Sequence, residues 1–240
     1  MPIVEVCNGY IFGAEGGIMG HQINKNISFL DIAHYDGLKY VVDCKLYKMV
    51  YDTESFSGQC IGLTTPTPTI SDNPKLISFS LSLSKDSFPS ATWQFQSFPL
   101  GGSCGIGSLP ELQVSASLGS CSWSINSSSG GFDGIDSCNF SEQLELITKE
   151  VGSGGDGGNE MSPLSKFGFV IAKQISRKMS LSLSKDPGDL NSPISAEVSS
   201  ADGGTSCHIS QALIDGIGKN YASDNFASFD VSLSAQEPYS

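Results

Sequence analysis

Apolar residues recur at every second position through much of this chain. Across residues 75–85, Ile77, Phe79, Leu81 and Leu83 alternate with Ser78, Ser80, Ser82 and Ser84, the period of two shown by a strand with one buried and one hydrated face. Residues 91–98 alternate again, with Trp93 and Phe95 inward, and residues 86–90 between them read as the turn of an antiparallel hairpin. The pattern returns at residues 178–186 with Met179, Leu181 and Leu183 inward, and there Ser-Leu-Ser-Leu-Ser-Lys-Asp of residues 80–86 recurs unchanged at residues 180–186. A shorter echo lies at residues 229–234. Duplication of a β module and convergence on a Ser/Leu composition both account for the repeat, and duplication is the leading account.

Other segments follow the same logic. Asn8-Gly9 between apolar residues 3–6 and 10–12 is a hairpin turn signal. Residues 39–51 are rich in β-branched and aromatic side chains, with Tyr40, Val42, Cys44 and Leu46 on one face, and favour a long strand. Residues 64–69 hold two prolines, which remove ladder donors and mark a connector. Residues 112–118 and 121–125 alternate as strands, residues 127–134 read as loop, and residues 141–151 fit either a strand or a short helix. Residues 208–218 place Ile209, Leu213 and Ile217 at helical spacing with Gly218 as a C-cap, which predicts a helix. The expected fold is mainly β: two related antiparallel β-barrel or sandwich modules with one or two short helices. The first module spans residues 1–151 and includes the N-terminal hairpin; a Gly-rich flexible loop spans 152–162; the second module spans 163–240 and carries the helix near 208–218.

Composition adds the character of the surface. Charged residues make up 16% of the chain, below the usual quarter, and serine and 27 glycines fill the difference. The exposed faces are therefore rich in hydroxyls rather than ions, while 13 Phe, 7 Tyr and 2 Trp supply the anchors of a folded core. The formal charge of −12 repels nucleic-acid backbone and anionic membrane. An acidic lumen around DNA remains compatible with that charge, because repulsion lets a polyanion slide. The N-terminus has no basic and apolar leader pattern, and no window approaches a membrane span, so residence in the cytosol or export without a cleaved signal is expected and membrane insertion is not. Seven cysteines, Cys7, Cys44, Cys60, Cys104, Cys121, Cys138 and Cys207, are odd in number, widely spaced and without C-x-x-C, the usage of free, buried thiols.

Motifs with catalytic or ligand-binding precedent fit poorly. Residues 101–105 satisfy G-x-S-x-G, but the helix that must follow a nucleophile elbow is replaced by a stretch with Gly107 and Pro110; Ser103 and His208 are the residues a serine hydrolase would use. Residues 152–157 fit G-x-G-x-x-G without the βα crossover that a dinucleotide needs. Asp133 and Asp136 offer oxygens to Ca²⁺ but lack the remaining ligands and read as turn residues. His21, His34 and His208 lie apart with no metal spacing. No catalytic, cofactor or metal residue is nominated, and no cofactor is expected. Trp93, Trp123 and Tyr239 would serve as stacking platforms in a carbohydrate- or surface-binding sandwich.

Residues 77–95, Ile-Ser-Phe-Ser-Leu-Ser-Leu-Ser-Lys-Asp-Ser-Phe-Pro-Ser-Ala-Thr-Trp-Gln-Phe, resemble the first tube-like hairpin of baseplate hub and related tail proteins of contractile phages. The shared features are an alternating strand, a charged turn, small residues and an aromatic strand, here carried by residues 83–86 and 91–93. The resemblance implies tail-tube-like β modules and a non-catalytic structural subunit that acts by ring assembly as hub, tube or adaptor. It also implies homo-oligomeric and other tail or baseplate partners, a passive lumen for DNA, and a virion-associated product of the host cytoplasm. The serine faces of the repeated strands, Ser80, Ser82, Ser84, Ser180, Ser182 and Ser184, are the expected assembly contacts.

Overall fold

The computed structural model describes residues 18–35, 40–59, 65–85, 87–98, 110–119, 125–129, 132–151, 167–200, 203–221 and 227–239. Their regular structure is all strand: β1 (Ile18–Tyr35), β2 (Tyr40–Gln59), β3 (Lys75–Ser84), β4 (Ser87–Gln96), β5 (Ala116–Ser117), β6 (Ile125–Ser129), β7 (Ile135–Val151), β8 (Phe167–Leu183), β9 (Ile194–Ser200), β10 (Ser206–Asn220) and β11 (Ser228–Pro238). They form one open antiparallel sheet in the order β1-β2-β4-β3-β7-β8-β11-β10-β9-β6, with β5 on β10 off that path. The mainly β reading holds in this form. Strands of both expected modules share the one sheet, and β7 and β8, on either side of residues 152–166, pair from Ile135 opposite Leu183 to Val151 opposite Phe167. The loop itself, like the turn at Asn8-Gly9, lies outside the described residues.

Alternation places the core. Phe79, Leu81 and Leu83 on β3 are buried together with Trp93 and Phe95 on β4, Cys138 and Phe140 on β7, Met179, Leu181 and Leu183 on β8, and Phe229, Val231 and Leu233 on β11. Register joins them into rows across the sheet, such as Leu81, Phe140, Met179 and Leu233. Burying each large side chain of this kind contributes about 1.5–3 kcal/mol. In the first signature hairpin two details differ from the sequence reading; elsewhere residues 112–118 are strand only at Ala116–Ser117, and residues 127–129 of the expected loop belong to β6. A bulge between Leu76 and Ser78 turns Leu76 inward and leaves Ile77 half-buried. Ser84 pairs with Ser87, so residues 87–90 already belong to the strand rather than to the turn.

The helix expected near 208–218 is a strand, β10. Cys207 and Ile209 are buried at strand spacing, but Gln211 has a positive φ of 51° and a bulge separates Ile209 from Ala212, so the next buried residue is Ala212. A strand whose phase slips by one residue produces an interval of three, which imitates a helical period. Leu213 and Ile217, the other members of the expected helical stripe, are exposed instead. Residues 141–151, ambiguous between strand and helix, belong to β7.

Two features go beyond the flat sheet. β2 pairs with β4 over Thr53–Gln59 and Asp52 bonds Ser97 just beyond it, so residues 40–51 are paired only with β1 among the described residues. Likewise Leu146 to Val151 and Phe167 to Ala172 pair only with each other there. Gln96 lies opposite both Thr53 and Lys75, and Ser78 opposite Gln143, so both ribbons leave the sheet at the same end. At 3.4 Å per residue the longer one reaches about 40 Å. The sheet also folds back on itself: register carries Cys138 on β7 through Leu181 and Val231 to Ile217 on β10, and Cys207 lies ten residues before Ile217, about 34 Å along a straight strand, yet the Cys138 and Cys207 sulfurs lie 3.9 Å apart.

Candidate functional site

The side of the sheet away from the core is built almost wholly from neutral polar residues. Because β3 and β8 both run antiparallel to β7, the two Ser-Leu-Ser-Leu-Ser-Lys-Asp copies lie parallel on its two sides. Ser82 faces Asn139, which faces Ser180 on its other side and then Ser232; Ser84, Ser137 and Ser182 form the next row. On the other side of the first row come Ser80 and Ser141, and after them Gln94, Ser78, Gln143, Ser176 and Gln236. Five of the six serines singled out from sequence are thus brought to one face; Ser184 follows the end of β8, and its Oγ donates to Gly134 O at 3.0 Å. Neighbouring strands place these groups about 4.8 Å apart, and alternate residues along a strand about 6.8 Å apart. Some bond one another, as Ser82 Oγ donates to Asn139 Oδ1 at 2.8 Å. Lys178 and Asp230 lie within these rows, and the carboxylates of Glu145 and Asp215 border them, accepting from Ser176 Oγ at 2.7 Å and from Ser234 Oγ at 2.8 Å.

The lysines of the two copies have a local task. Lys85 Nζ lies 3.5 Å from Asp136 Oδ1 and Lys185 Nζ lies 3.8 Å from Asp133 Oδ2, both at the turn that opens β7. These pairs are exposed and contribute about 0–1 kcal/mol each; the backbone does more, with Lys85 N–H donating to Asp136 O and Ser184 N–H to Gly134 O. Of the two aspartates weighed as Ca²⁺ ligands, Asp136 thus anchors the first copy through its backbone carbonyl, while the second is anchored by Gly134 O and Asp133 adds an exposed pair to Lys185. Only the first copy turns back as a hairpin. After the second, Asp186 accepts from the Gly188 N–H at 2.9 Å and from Lys219 Nζ at 3.1 Å, and the chain leaves for β9. The Gly188 N–H first, and then Lys219, hold the Asp186 carboxyl below its ordinary range.

On the opposite face, two buried carboxylates tie irregular segments to the sheet, and neither was legible as a site from sequence. Glu54, fully buried on β2, accepts from His21 Nε2, the Thr69 hydroxyl and N–H, each at 2.6 Å, and the Ile70 N–H at 3.0 Å. Burial opposes its charge, but the Thr69 hydroxyl, His21 and the two N–H groups outweigh that cost and keep its carboxyl below the usual range. The Thr-Pro connector is fixed by this residue. Glu142 on β7 is fully buried, accepts from Arg177 Nε at 2.6 Å on β8, and accepts from the Ser115 N–H at 2.8 Å. Arg177 also pairs with Glu237 on β11. Burial disfavours the guanidinium's charge, yet Glu237 and Glu142 raise its affinity for the proton overall. The signal for both sites is a carboxylate in the inward phase of an alternating strand, as Glu142 is beside Phe140 and Leu144.

The remaining expected site residues are not brought together among the described residues. His208 is exposed, with its N–H bonded to Ser115 O at 3.1 Å, and residues 101–105 lie outside the described residues. Trp93 is fully buried against Phe79 and presents no stacking platform; Trp123 lies outside the described residues, and Tyr239 is half-buried. Among the described residues no group of three His, Cys, Asp or Glu is placed to hold a metal ion, and no helix is long and apolar enough to cross a membrane. No family model and no curated protein matches the chain.

Proposed function

We propose that this chain is a non-catalytic structural subunit that acts by assembling into a ring, of the tail-tube or baseplate-hub kind that residues 77–95 resemble. The observation that carries the reading is the neutral hydroxyl and amide lattice, centred on Ser82, Asn139 and Ser180, that the repeated signature builds on one sheet face. Such a face is cheap to desolvate compared with an ionic one, and it offers donors and acceptors in fixed register to a complementary surface. The paired ribbons at one end of the sheet support the same reading. Two-stranded ribbons are marginal alone in water, and their backbone edges are templates for pairing with a neighbouring subunit. Tail or baseplate proteins are the further partners, and the charge of −12 suits a lumen through which DNA slides.

The test is electron microscopy and light scattering of the purified chain beside an S82K/S180K variant. The wild-type protein is expected to form closed rings and to co-purify with tube and spike proteins, whereas two like charges at the lattice centre leave the variant monomeric with an unchanged urea midpoint. A wild-type protein that stays monomeric at high concentration and joins no such particle overturns the proposal.

A further inference from the structure

We propose that Cys138 and Cys207 are a disulfide-forming pair whose oxidation locks the curved sheet shut. The inference is independent of the assembly reading. The two thiols are buried, on strands that are not neighbours, and their sulfurs touch at 3.9 Å. A disulfide needs about 2 Å between sulfurs, so the two side chains, already in contact, have about 2 Å left to close. The bond would join the middle of the main sheet to the half of β10 that pairs with β9 and β5, the place where curvature has to be maintained.

Burial also determines when the bond forms. The neighbouring Cys138 thiol first, and burial second, raise the Cys207 thiol well above its ordinary range, so little attacking thiolate exists in the folded chain. Oxidation therefore belongs to the folding chain, before β10 closes over β7. With glutathione disulfide as oxidant, the thiolate of one cysteine attacks a glutathione sulfur and releases one glutathione thiolate. The second cysteine thiolate then displaces the other glutathione from the mixed disulfide. The sum is protein dithiol plus glutathione disulfide giving protein disulfide plus two reduced glutathiones. Once formed, the bond is shielded from reductant by the same packing.

The full chain, unfolded and reduced, is refolded in a glutathione redox buffer, quenched by alkylation, digested without reduction and mapped by mass spectrometry with fragmentation of the linked peptides. The expected result is a dominant Cys138–Cys207 link, absent from C138A and from C207A. The oxidised chain is expected to shift the folded-to-unfolded ratio by roughly thirtyfold or more over the reduced chain, while the folded, reduced protein exposed to the same buffer acquires the link far more slowly. Complete alkylation of Cys138 and Cys207 in the wild-type chain after oxidative refolding, or links that join them only to other cysteines, overturns the proposal without any variant having to fold.

Discussion

Arg177→Met removes the partner of a carboxylate that has no access to water. Glu142 is 0% exposed, and Arg177 Nε at 2.6 Å is its charged contact among the described residues, leaving the Ser115 N–H at 2.8 Å as the remaining donor. The Arg177 contact to Glu237 contributes little to the balance, because Glu237 is 44% exposed and regains water when the guanidinium is lost. Removing one member of a buried pair costs about 3–5 kcal/mol, most of it the orphaned charge rather than the attraction. With a urea slope of about 2 kcal/mol per molar, the midpoint is expected to fall by roughly 2 M at unchanged slope, read by the fluorescence of buried Trp93 and by circular dichroism. The double variant E142Q/R177M separates charge from shape. The glutamine amide oxygen still accepts from Ser115, no charge is buried, and stability is expected to return to within about 1–2 kcal/mol of wild type. A loss below about 1 kcal/mol in R177M, or a double variant at the sum of its single changes, would falsify the claim that Glu142 is a desolvated charge held by Arg177.

Three further outcomes are expected. Because the Glu54 carboxyl is held below its ordinary value, the unfolded chain binds the proton more readily, so this group's stabilisation is present above about pH 4.3, the ordinary glutamate value, and is lost as pH falls further; urea midpoints measured down through that range should flatten in E54Q, and equal acid sensitivity in both proteins refutes the assignment. Gly134 has φ +64°, and an added Cβ would meet Ser184 Oγ at 2.7 Å, so G134A is expected to lose about 2 kcal/mol, and an unchanged midpoint would show that the two signature copies do not depend on that turn. Trp93 buries an indole N–H with no partner among the described residues, so W93F, which removes that donor, is expected to cost less than about 2 kcal/mol while W93A costs about 3–5; equal costs for the two variants would contradict this.

What was legible in the chain itself is what depends on neighbours a few residues apart. The alternation of Phe79, Leu81 and Leu83 with serine needs only the two-residue pleat to make a strand with a wet and a dry face, and both copies of the signature obey it. Burial of Trp93 and Phe95 follows from the same phase, and the irregular Thr-Pro connector follows from prolines that cannot donate to a ladder. Partner choice depends on residues far apart, and there the tertiary structure decided. Nothing local states that residues 80–86 and 180–186 flank β7, since each copy has equal propensity to pair with many strands and the favoured register is the one that buries both inward rows together. The bulges at Ile77 and Gln211 shift the phase by one residue to satisfy packing, which is why β10 imitated a helix from its spacing alone. Curvature is likewise a property of the assembled sheet, and only through it do Cys138 and Cys207 meet. The serine lattice stands between the two cases: its chemistry is written in each strand, but its continuity exists only because five strands bring their polar phase to the same side.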